Sequence, residues 1–146
     1  MKGHIRFMCF YDLTPEITQN YEIKLHITRD INQGMRRGFV HVPHLSPSTS
    51  LRNKAIYKWK KLIFTKEEQE LLKNGETGTW FDLYKPKFKS EMNTSNDFKK
   101  AYNRIKFHLD NGTNILAVCY CRDPYKCHRY IIHEDLINEG YTSILE

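Results

Sequence analysis

No stretch of this chain comes near the roughly 20 consecutive apolar residues that a membrane-spanning helix needs, so no membrane partner is expected. Glycine and proline are sparse, at 7 and 5 residues, and no linker, internal repeat or low-complexity tract interrupts the chain. Cysteine is scarce too. Cys9, Cys119, Cys121 and Cys127 are unevenly placed and follow no secretory leader, which does not resemble a disulfide framework. They are expected to be reduced thiols in a cytoplasmic protein. The polar bias of a disordered segment is also missing: 40% of the residues are hydrophobic and 13% aromatic, the composition of a packed globule. A chain of 146 residues suits a single domain spanning residues 1–146, long enough to bury roughly 70% of its unfolded surface.

What the chain does have is positive charge. Lys and Arg number 23 against 17 Asp and Glu, a formal charge of +6. That balance fits an anionic partner, whether a phosphorylated small molecule, a nucleotide or a nucleic acid. The densest basic group, residues 53–64, interleaves Tyr57 and Trp59 with Lys58, Lys60 and Lys61, as some single-strand binders do. The same string is given by an amphipathic helix with lysines on its wet side and Ile56, Trp59 and Ile63 packed beneath, and this ordinary reading is the favoured one.

Along the chain, Ile5 to Tyr11 and Glu22 to Thr28 read as strands, with a short one at Phe39 to Val42 inside a loop-like region from Asn32 to Ser50. That region is the expected cover for a site. Ser48 precedes a plain helix start, and Thr65-Lys66-Glu67-Glu68 fits a capping box whose helix stops near Gly75. Phe81, Tyr84, Phe88 and Met92 mark another helical face, with a kink expected at Pro86. Asn96 to Leu109 is a clear amphipathic helix ending at Gly112, and Thr142 to Leu145 a terminal strand. The order ends in helix, strand, helix and strand. It predicts an α/β fold in three layers, a mostly parallel central sheet flanked by helices.

The last third carries the chemistry. Ile115 to Tyr120 reads as a buried strand, followed by a helix with Asp123 as N-cap, Pro124 at its first position and Gly140 as its left-handed stop. Alternation puts Cys119 and Cys121 on one face of the strand, and Cys127 falls at the helix start, where a thiolate is favoured. His128 repeats with Ile132 and Leu136 at four-residue steps, so it is expected to face inward, while Arg129 is turned about 100° away. Ligands of parallel sheets sit at the carboxyl ends of strands, and Arg29 closes the Ile23 strand. Arg29 and Arg129 together would make a small anion pocket walled by a thiol and an imidazole.

The spacing C-x7-C-H-R after an apolar strand, here Cys119 followed by Cys127-His128-Arg129, resembles the signature of the domain of unknown function 488 family. Leu45 to Arg52 (LSPSTSLR) resembles that family's L-x-P-S segment, and Thr28-Arg29 resembles a small residue and arginine at a strand end. The series Tyr84, Phe88, Met92 resembles an aromatic helix pattern of the same family. The resemblance implies a compact α/β fold but brings no settled reaction. This chain departs from it at Cys121, where relatives commonly carry an acidic residue, a change that would alter or remove any chemistry resting on that carboxylate.

Three readings of the cluster stand side by side. In one, Cys127 is a nucleophile, His128 exchanges protons with Cys119 beside them, and Arg29, Arg129, Cys121 and Ser48 hold an anionic substrate, with no cofactor or metal assigned. His26, His41 and His44 are other sources of a base. In the second, Cys119, Cys121, Cys127 and His128 bind zinc, for which the spacing is poor. In the third, small thiols fill a strand–helix contact. The first is the reading adopted: a small enzyme acting through cysteine and histidine on a phosphorylated or nucleotide-like substrate, with an anion- or nucleotide-sequestering protein and a nucleic-acid-binding module as alternatives. The oligomeric state is not legible. His133 is assigned no role and is expected to face solvent or a carboxylate.

Overall fold

Short apolar runs make five strands: β1 (His4–Cys9), β2 (Ile23–His26), β3 (Val40–His41), β4 (Ile115–Cys119) and β5 (Thr142–Leu145). In the computed structural model, which describes residues 1–31 and 34–146, they pair in the order β3-β2-β4-β1-β5. Every pairing is parallel. β4 is central and fully buried along its length, as its unbroken apolar run requires. Asn32 and Gln33, the start of the loop expected to cover a site, lie outside the described residues.

The chain divides into two compact units, residues 1–46 with 96–146, and residues 47–95. The first contains the whole sheet. Ile5, Phe7 and Cys9 of β1 are in register with Ile115, Ala117 and Cys119 of β4, and Ile23 and Leu25 of β2 complete that face. Two helices cover it. α5 (Asn96–Asp110) lies across β2 and β4 through Ala101 and Ile105, and the helix His128–Asn138, here α6, sets His133 edge-on to Phe7. The opposite face presents Met8, Leu116 and Val118, which pack with Phe10, Leu13, Tyr21, Phe39 and, from the short helix α1 (Pro15–Thr18), Ile17. Helix, sheet and helix form the three layers.

The second unit holds α2 (Thr49–Tyr57), α3 (Lys66–Lys73) and α4 (Phe81–Thr94). Ser48 caps α2 and the Thr65–Glu68 capping box starts α3, both as the sequence predicts. α4 continues through Pro86 and buries Phe81, Tyr84, Phe88 and Met92. The basic segment differs from expectation. Its buried residues are Ala55 and Trp59, while Ile63 is exposed and Ile56 only partly covered. α2 ends at Tyr57 and the chain tightens into a 3-10 turn at Trp59–Lys61, with Leu62 left-handed, so the expected helical face does not run on to Ile63. Trp59 is 1% exposed and gives its indole N–H to Glu68; it offers no face for a base to stack on.

α5 and α6 stop the same way. After α6, Gly140 (φ +91°) lets its own N–H reach the Ile137 carbonyl and the Tyr141 N–H reach Leu136, the Schellman arrangement that only glycine adopts without strain. This turn launches β5. Gly140→Ala is therefore expected to cost about 1 kcal/mol or more, read as a lower urea midpoint with an unchanged slope.

Candidate functional site

β1 and β4 lie side by side, yet the chain leaves β1 for α1 on one face of the sheet and leaves β4 for α6 on the other. Such a divergence opens the carboxyl edge between neighbouring strands. All four cysteines gather there. Cys9 and Cys119 are register partners at the ends of β1 and β4, and Cys9 Sγ lies 3.9 Å from the Tyr120 carbonyl oxygen.

The segment after β4 differs from the sequence reading in one respect. Asp123 does cap a turn begun by Pro124, accepting the Tyr125 N–H, but the turn is a 3-10 turn, Pro124–Lys126. α6 itself begins at His128. Cys127 is its N-cap, with extended backbone (φ −143°, ψ 153°) and no side-chain capping bond. That placement swings the thiol inward. Cys119 Sγ and Cys127 Sγ are 3.2 Å apart, and with Cys121 Sγ all three sulfurs lie within 4.8 Å of one another.

His128 and Arg129 complete the cluster. Although adjacent residues on a helix diverge, the break at Cys127 brings His128 Nδ1 to 3.5 Å from Cys127 Sγ. Its Nε2 is 2.6 Å from the carbonyl oxygen of Ile27. A carbonyl only accepts, so in the neutral ring Nε2 carries the proton and Nδ1 is left to accept one from the thiol. Arg129 is fully buried. Its Nη1 donates to Cys119 Sγ (3.0 Å) and to the Cys121 carbonyl (2.8 Å), and its Nη2 donates to the Glu146 carbonyl (3.0 Å). With Nδ1 as acceptor, one consistent set of donors runs from the guanidinium to Cys119, Cys119 to Cys127, Cys127 to His128, and His128 to the Ile27 carbonyl.

The remaining expected site residues make other contacts. Arg29 Nη2 donates to the Ser46 carbonyl. Ser48 belongs to the second unit, where its hydroxyl accepts the Leu51 N–H and donates to Glu91. His133, to which solvent or a carboxylate was expected to fall, bonds the Ser143 hydroxyl at 2.6 Å, and burial lowers its pKa. A cavity of about 450 Å³ opens between α5 and the strands β2 and β3, but no cysteine lines it.

The family signature can now be weighed with geometry behind it. The DUF488-N3a family model, described as the active DUF488-N3 subclade, matches residues 9–140. The chain belongs to the DUF488 family. No curated protein and no solved structure matches it significantly.

In this DUF488 protein the Cys119 and Cys127 thiols are held in their neutral form. Burial is the largest influence and pushes Cys119 up to about 12, while the Cys127 and Arg129 beside it pull the other way without prevailing. Burial likewise carries Cys127 well above the ordinary thiol range, and the nearby sulfurs of Cys119 and Cys121 add to the rise. The helix start was expected to favour a thiolate at Cys127; desolvation outweighs it. Cys121, only half-buried, is the sulfur nearest solvent. Sequence reasoning overlooked Cys9, the Ile27 carbonyl and Glu146, because only strand register and chain return bring them here. The alternation of β1 was the one available signal for Cys9.

Because Cys119 and Cys127 bind their protons more tightly in the folded protein than in the unfolded one, their contribution is fully present below about pH 8.5. It is lost as pH rises towards the raised folded values, near 12 for Cys119. The expected result is a steeper loss of thermal stability between those limits than in a Cys119→Ala, Cys127→Ala variant, measured by calorimetry.

Proposed function

We propose that this protein is a cysteine-dependent enzyme in which Cys127 is the nucleophile, His128 its base and Arg129 the counter-charge, acting on a phosphorylated or nucleotide-like substrate. The observation that carries the reading is the contact of Cys127 Sγ with His128 Nδ1, with the Ile27 carbonyl behind the ring at Nε2. A nucleophile, a base within reach and a third group that orients the base are the parts covalent catalysis needs. Passing the Cys127 proton to Nδ1 leaves a thiolate that accepts from Cys119, whose sulfur already faces Arg129. The negative charge is thereby shared along a path that ends on a guanidinium. The formal charge of +6 suits an anionic substrate, and the family model's description as an active subclade speaks for chemistry rather than its loss at Cys121.

The test is alkylation mapped by mass spectrometry in a Cys121→Ser background, which removes the more accessible thiol. Cys127 is expected to take up iodoacetamide near neutral pH in the folded protein, at least tenfold more slowly after His128→Gln. The reading fails if Cys127 reacts only as fast as the whole protein unfolds.

The mutual closeness of three sulfurs favours a second reading, a thiophilic ion held by Cys119, Cys121 and Cys127 with one position left open. Displacement of three thiol protons would then offset the burial that now keeps them on. Titration with cobalt(II) is expected in that case to give sulfur-to-metal charge-transfer absorption at one equivalent, lost in Cys119→Ser; an unchanged spectrum sinks it.

A further inference from the structure

On the other face of the same sheet edge, several buried polar atoms have no hydrogen-bond partner among the described residues: both ring nitrogens of His26, the Thr28 hydroxyl and the Tyr120 hydroxyl. Native proteins rarely leave such groups unpaired, since each costs desolvation energy that nothing returns. Here they are concentrated. His26 and Val118 are register partners in β2 and β4; Tyr120, two residues past Val118, packs against the cluster that contains Val118, and Thr28 follows His26 by two residues, just past the end of β2. His26 is fully buried and Thr28 is 7% exposed.

Aromatic rings surround them. The His26 ring lies 5.4 Å from Phe10, 5.1 Å from Phe39 and 6.4 Å from Tyr120, and Tyr120 is 5.3 Å from Phe10. Two guanidinium groups frame the cluster: Arg36 sits 5.0 Å over the Phe10 ring and Arg122 sits 4.7 Å over Tyr11, itself 6.1 Å from Tyr120. Burial, with the nearby His41 and Arg36, lowers the pKa of His26, so its ring is neutral at physiological pH and carries one donor and one acceptor.

From this juxtaposition we infer that His26, Thr28 and Tyr120 recognise the planar, hydrogen-bonding ring of a nucleotide base, with Arg36 and Arg122 beside its phosphate. A base offers what this set lacks: edge donors and acceptors in one plane, and faces that pack against aromatic side chains. A phosphate alone would use the arginines and leave the imidazole and hydroxyls unpaired. The inference deepens the proposed function by naming the part of the substrate recognised, and as a statement about substrate it rests on that reading. As a statement about binding it stands alone. The base site on one face and Cys127 on the other meet at the end of β4, which closes with Cys119 and is followed directly by Tyr120.

Isothermal calorimetry with AMP, GMP, CMP and UMP, against inorganic phosphate as control, tests it without requiring any reaction. At least one nucleotide is expected to bind, and inorganic phosphate at least tenfold more weakly. The combined His26→Phe, Thr28→Val and Tyr120→Phe variant removes the polar atoms while keeping the volume. It is expected to lose that binding while its melting temperature stays level or rises, because unpaired groups have been removed. Tyr120→Phe alone is expected to weaken binding by about tenfold. The inference is overturned if no nucleotide binds, if phosphate binds as tightly as the nucleotides, or if the triple variant binds as well as the parent. Alkylation of Cys127 is read without nucleotide, so either result can fail while the other stands.

Discussion

A fully buried guanidinium holds the carboxyl edge of the sheet together. Arg129 ties the carbonyl of Cys121, just past β4, to the carbonyl of Glu146, just past β5, while donating to the sulfur of Cys119. A charge so far from water depends on hydrogen-bond partners, and here the two Nη groups reach three acceptors on two stretches of chain, while Nε has no partner among the described residues. The position of the β4 turn, the seating of α6 and the packing of the terminal strand are thereby linked. The thiols occupy the space this arrangement leaves, which is why they are close and dry.

That dryness sets the character of the site. Desolvation keeps Cys119 and Cys127 protonated, so reactivity has to come from a partner that accepts the proton at the moment of need. His128 is placed to do so because Cys127 is extended at the N-cap. Had α6 begun at Pro124, the two side chains would have pointed apart. The opposite face of the edge shows the complementary condition: several of its buried polar groups lack partners among the described residues, a cost to stability that recognition of a ligand would offset.

Much of the architecture was legible in the sequence. β4, α5 and β5 announce themselves through an uncharged run, a strict helical period and a short apolar end, and the caps at Ser48, at Thr65 with Glu68, and at Gly140 are local chemistry that tertiary packing did not overrule. The failures have local causes too. Ile56 and Ile63 were placed beneath a helix that in fact ends at Tyr57, because a 3-10 turn shifts the buried face. α6 was started four residues early, since Asp123-Pro124 caps a 3-10 turn as readily as an α-helix.

The sequence by itself determined that Cys119, Cys127, His128 and Arg129 belong to one strand–turn–helix unit, because hydrophobic period and capping act over a few neighbouring residues. Only the tertiary structure decided what each faces. Burial, not the helix end, governs the thiols. The carbonyl that orients His128 belongs to Ile27, just past β2 and about a hundred residues away in the chain. Arg129 turns inward because strand β5 returns to meet it, and such contacts depend on parallel register, which no local pattern of residues encodes.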